Sequence, residues 1–116
     1  MLMDLIDRLF KGHIASAAIE ILGCWHLIRT VENAAEPAEM DFRDDGRLLY
    51  AILSDSRWQI MNLVYQVEGD VLVTDQPSSP RKERTRFAFE KDGTLMLEFG
   101  GQRSWFKRGP KVAPEV

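Results

Sequence analysis

From residue 18 onward, apolar and polar positions alternate with a period of two, and turn-forming residues interrupt the alternation at short intervals. The pattern predicts strands at 18–30, 38–43, 47–53, 58–67, 71–75, 83–90, 94–99 and 103–108. Asp44-Asp45-Gly46, Glu68-Gly69-Asp70, Lys91-Asp92-Gly93 and Gly100-Gly101 each supply residues that tolerate positive φ, and Ser54-Asp55-Ser56 makes a further turn. Loops this short, with no helical crossover, imply consecutive antiparallel pairing. Closing eight such strands into an up-and-down barrel removes the exposed edges that an open sheet would leave. Ahead of the strands the period changes. Leu2, Leu5, Ile6, Leu9 and Phe10 form one stripe of a short amphipathic helix, with Asp4 near its start, Lys11 near its end and Gly12 as its stop. The expected organisation is an N-terminal helix and linker over 1–16, an all-β, eight-stranded antiparallel barrel over 17–108, and a flexible, proline-containing tail over 109–116.

Composition narrows the function classes. The chain has 116 residues, enough for one hydrophobic core but not two. Its net charge of −3 argues against a nucleic-acid partner, which usually selects a basic surface. A single cysteine, Cys24, cannot form an internal disulfide, so the expected compartment is a reducing cytoplasm. No apolar run approaches the roughly 20 residues of a spanning helix, and Asp4, Asp7, Arg8 and Lys11 break up any signal-peptide core, so no membrane association is expected. There is no glycine-rich phosphate loop, nucleophile elbow or His-Glu-x-x-His, and neither His13 nor His26 has a neighbouring donor cluster at ligand spacing. No cofactor and no metal are expected.

Gly23-x-Trp25 at the head of the meander and Phe106-Lys107-Arg108 on its last strand resemble the lipocalin and wider calycin group, specifically the compact bacterial lipocalin-like domains, over about residues 18–108. The resemblance implies that Trp25 lies at the closed end of the barrel and that Arg108 packs across its indole, with Gly23 completing a structural clasp. A guanidinium stacked on indole contributes about 0.5–2 kcal/mol, depending on desolvation.

With Trp25 inward, alternation along the first strand places Ile21, Leu27 and Arg29 inward, and Cys24, His26 and Ile28 outward. Later strands direct a large, aromatic-rich set inward, including Phe42, Leu63, Leu72, Phe87, Phe89, Leu97, Phe99 and Phe106. The candidate ligand-binding residues are Arg29, Tyr50, Tyr65, Thr85, Phe87, Phe89 and Ser104. Arg29 is the residue expected to hold an anionic ligand head, or else to pair with Glu83. Outside, Leu49, Ala51 and Leu53, with Trp58, Ile60 and Val64, make an apolar patch that a monomer rarely leaves bare, so a homodimer through the outer face of strands 47–53 and 58–67 is expected. Lys82, Arg84 and Arg86 form an outward basic stripe balanced by Glu98.

Three function classes follow. The first is a binding protein for a small apolar or aromatic molecule. The second is a cofactor-independent isomerase or cyclase that uses the cavity, with Tyr65 or Glu83 as acid or base. The third is an accessory or interaction module whose barrel is filled.

Overall fold

A computed structural model describes residues 17–30 and 36–115. The expected helix over Leu2–Phe10 and the first interstrand connection lie outside the described residues. Eight strands, β1 (Gly23–Thr30), β2 (Ala38–Phe42), β3 (Arg47–Ser54), β4 (Arg57–Glu68), β5 (Val71–Asp75), β6 (Glu83–Phe89), β7 (Leu95–Phe99) and β8 (Gln102–Arg108), pair consecutively and antiparallel. Pairing of β1 with β8 closes the barrel, so no strand edge is left unpaired along the sheet. The strict alternation expected of half-buried strands is clearest in β4, where Asn62, Val64, Gln66 and Glu68 are exposed and Leu63, Tyr65 and Val67 turn inward.

The first strand begins later than its sequence pattern suggests. Residues 17–21 form a helical turn, closed by Leu22 N–H donating to the Ile19 carbonyl at 3.1 Å. Ala17 and Ala18 favour helix, and Gly23, at φ +107°, turns the chain sharply from that helical turn into β1. Ile21 is therefore buried from a helix and not from a strand, and its carbonyl accepts the Trp25 indole N–H at 2.8 Å.

The two barrel ends differ in packing. At one end lie the start of β1, the β2–β3, β4–β5 and β6–β7 turns and the end of β8. Trp25, 1% exposed, plugs this end together with Phe42, Tyr65, Phe87 and Phe89. Their rings meet edge-on or tilted: Phe42 with Tyr65 at 5.2 Å, Phe87 with Phe89 at 5.8 Å and Trp25 with Phe89 at 6.2 Å between centroids. Arg108 seals the plug from outside. Its guanidinium lies 4.2 Å from the Trp25 ring centroid and donates to the Leu22 carbonyl at 2.7 Å and to the Glu20 carbonyl.

The segment after β8 is not the frayed end its prolines and small residues suggest. Residues 109–115 fold back over the outer wall of β1 and β2. Gly109 N–H donates to the Cys24 carbonyl at 3.2 Å, and Arg43 pairs with Glu115 at the far end. Between these points Glu39, 1% exposed, accepts Val112 N–H at 2.6 Å, Ala113 N–H at 3.2 Å and the Lys111 ammonium at 3.3 Å. A buried carboxylate with three donors is satisfied, and the segment's own backbone N–H groups supply two of them. On the same wall, Leu49 and Ala51 are buried within the chain, so the outward patch proposed for self-association is smaller than its sequence implies. Val64 remains exposed, and Trp58 and Ile60 are half-buried.

Candidate functional site

Among the described residues, the other barrel end is open. Here lie the end of β1, the β3–β4 and β7–β8 turns and the 76–82 loop, and beneath them is a cavity of about 440 Å³. Its floor and walls are apolar: Met40, Leu48, Leu63, Leu72, Leu97 and Phe106 from six different strands. Tyr50, Met61, Thr85 and Ser104 line it as well. Thr74, Gln76, Arg81, Glu83, Phe99 and Gln102 form the mouth, where Phe99 is 51% exposed although its parity is inward. Among the described residues the barrel is therefore plugged in one half and holds a cavity in the other.

Register explains why these side chains converge. Leu72 faces Thr85 across β5–β6, Leu97 faces Ser104 across β7–β8, and Met40 faces Tyr50 across β2–β3. Directly opposed residues share a sheet face, so each pair contributes two groups to one level of the interior. Burial pushes the Tyr50 phenol above its ordinary value, so it remains a neutral hydroxyl in the wall. At the mouth, Glu83 pairs with Arg81 at 3.1 Å, which leaves the rim close to electrically neutral.

Of the seven ligand contacts expected from sequence, Tyr50, Thr85 and Ser104 line the cavity. The other four do not. Arg29 lies on the outer wall because a β-bulge between Leu27 and Arg29 inserts one extra residue opposite β8. Leu27 pairs with Phe106, but Arg29 pairs with Trp105 and Thr30 with Ser104, so inward parity passes from Arg29 to Thr30. The Arg29 guanidinium stacks 4.1 Å from the Trp105 ring centroid, and the Trp105 indole N–H donates to Glu90 at 2.6 Å. The expected Arg29–Glu83 pair is accordingly absent, since Glu83 is held by Arg81. Phe87 and Phe89 belong to the aromatic plug. Tyr65 does too: its hydroxyl donates to the Arg43 carbonyl at 2.6 Å, at the closed end. Burial, with Asp44, Asp45 and Asp41 nearby, raises its phenol above the ordinary value, and its position at the closed end keeps it from acting as an acid or base in the cavity.

Sequence reasoning missed Gln76, Arg81 and Gln102 at the mouth. All three sit at or beyond strand ends, where alternation no longer specifies direction.

No family model matches the sequence, and no curated protein does. Among solved structures, a lipocalin-like protein from Bacteroides uniformis ATCC 8492 aligns with a TM-score of 0.64 at 16% identity, over 78% of this chain and 99% of that one. The fold is lipocalin-like. In this lipocalin-like barrel the clasp of Gly23, Trp25 and Arg108 occupies the plugged end, and the cavity opens at the opposite one. Among the described residues, no helix is long and apolar enough to cross a membrane.

Proposed function

We propose that this protein binds one small, neutral, largely apolar molecule inside the open half of the barrel. The observation that carries this reading is the cavity of about 440 Å³, within the roughly 300–1,000 Å³ range of small-molecule sites. Burial against Leu48, Leu63, Leu72 and Phe106 supplies the driving force, at about 25 cal/mol per Å² of apolar surface removed from water. Tyr50, Thr85 and Ser104 offer hydroxyls that orient a carbonyl or hydroxyl on the ligand. Mutual pairing of Arg81 and Glu83 at the rim favours a neutral ligand over a charged one. The single free thiol fits a reducing cytoplasm as the place of action.

The test is titration with N-phenylnaphthylamine, a neutral apolar fluorophore. Saturable enhancement with one-to-one stoichiometry is expected, and Thr85→Trp, which fills the cavity from its wall, should weaken it by about tenfold or more without lowering the melting temperature. No saturable binding, or equal binding by Thr85→Trp, would rule the reading out.

A further inference from the structure

The outer wall of β1 and β2 carries a second constellation, unrelated to the cavity. Cys24 and His26 are two residues apart on one strand and so share its outward face. Glu39 stands directly opposite His26 in the β1–β2 register, on the same face. The segment after β8 then lays the Pro110 carbonyl against both. Cys24 Sγ is 3.8 Å from His26 Nε2 and 3.9 Å from the Pro110 oxygen, and His26 Nε2 is 3.8 Å from Glu39 Oε1. The donor atoms of Cys24, His26 and Glu39 all lie within 4.8 Å of one another.

We propose that Cys24 Sγ, His26 Nε2 and Glu39 Oε1 form a zinc site, with the Pro110 carbonyl as fourth donor, that fastens the C-terminal segment to the barrel. Tetrahedral zinc, with bonds of about 2.0–2.3 Å, requires donor–donor separations of roughly 3.3–3.6 Å. Three of the observed separations exceed that by only a few tenths of an ångström. Another, His26 Nε2 to the Pro110 oxygen, is 2.6 Å because the imidazole N–H donates there, and it must open by several tenths of an ångström; Cys24 Sγ lies within 4.8 Å of the Glu39 carboxylate. One thiolate, one imidazole and one carboxylate are a donor set suited to zinc and poorly suited to magnesium or calcium.

The surroundings supply what a structural site needs. Glu39 is the one buried charged side chain among the described residues, and its orientation is fixed by N–H groups of Val112 and Ala113. Such outer hydrogen bonds hold a ligating carboxylate in place. Lys111 sits on Oε2, while Oε1, which takes both of those N–H groups, lies 3.8 Å from His26 Nε2. Without metal the thiol is protonated: burial, then the Glu39 charge, pushes it up to about 12. Binding therefore transfers the Sγ proton to solvent, moves the single imidazole proton of His26 to Nδ1, and places thiolate and carboxylate charge on the dication.

Cobalt(II), added to the reduced, metal-free full-length chain, reports the site directly. Expected are tetrahedral visible bands and a near-ultraviolet thiolate-to-cobalt band, all displaced by stoichiometric zinc. Cys24→Ser should abolish the near-ultraviolet band, and His26→Gln should weaken binding by about tenfold or more. Zinc should also raise the melting temperature of the unmodified protein and not that of Cys24→Ser. Absence of the charge-transfer band overturns the assignment. So does a band whose affinity is unchanged in His26→Gln, since that would be a lone thiolate acting without the cluster.

Discussion

Gly23 adopts φ +107°, and a Cβ at this position would sit 3.2 Å from Arg108 Nη1. Backbone sign and close approach therefore both select glycine, and Gly23→Ala is expected to destabilise the fold by about 1–3 kcal/mol in thermal or denaturant unfolding. Arg108→Lys keeps the charge but loses the planar fork that spans the Leu22 and Glu20 carbonyls while lying on Trp25. Its cost should be smaller, about 0.5–2 kcal/mol. Arg29 provides the opposite kind of check. Because its guanidinium rests on Trp105 outside the barrel, Arg29→Ala should leave affinity for N-phenylnaphthylamine unchanged. A clear loss would return Arg29 to the ligand. Inward parity was legible for Tyr50, Thr85 and Ser104, which follow unbroken alternation. It was not legible beyond Ile28, because a bulge is defined by the partner strand, and nothing in the local residues of β1 marks the extra one.

The hairpins are closed by turns of unequal quality. The β3–β4 turn places Asp55 at φ +52° and Ser56 at φ +62°, a left-handed pair that non-glycine residues adopt at some cost. Ser56→Gly relieves that cost at one position, and a gain of about 0.5–1 kcal/mol is expected in chemical unfolding, with no change in strand content. A loss would mean that the Ser56 side chain is needed in the turn. Most strand boundaries could be read in advance because turn chemistry is local: Asp92 accepts both the N–H and the hydroxyl of Thr94, at 3.0 and 2.7 Å. The helical turn at 17–21 could not, since Ala-Ala-Ile-Glu-Ile fits either period over so few residues. Nor could the docking of 109–115. Its receptor, Glu39, looks like an ordinary solvent-facing strand residue until the wall beyond it is known.

At the scale of the whole molecule, the described barrel is polarised along its axis, with an aromatic plug at one end and a cavity at the other. The docked C-terminal segment adds a pH-dependent element on the wall. Burial alone would raise the Glu39 carboxyl, but bonds from Val112, Ala113 and Lys111 outweigh it and hold it below its ordinary 4.5. For a carboxyl lowered by folding, the stabilisation is complete above the unfolded value and fades as pH falls through the folded one. Amide exchange at Val112 and Ala113 in metal-free protein should therefore accelerate, relative to intrinsic rates, as pH drops below about 4.5. Glu39→Gln should remove that pH dependence, and retention of it would assign the effect to another carboxyl. The pairing of β1 with β8 has a different consequence, one for synthesis. Every other strand pairing joins neighbours in sequence and can form as the chain emerges, but the seam joins the first strand to the last. Until β8 is released, Trp25 lacks its cation and β1 offers an open, apolar edge. The nascent barrel is thus exposed to mispairing for most of its translation, and its final closure belongs to the slow, non-local class of folding events.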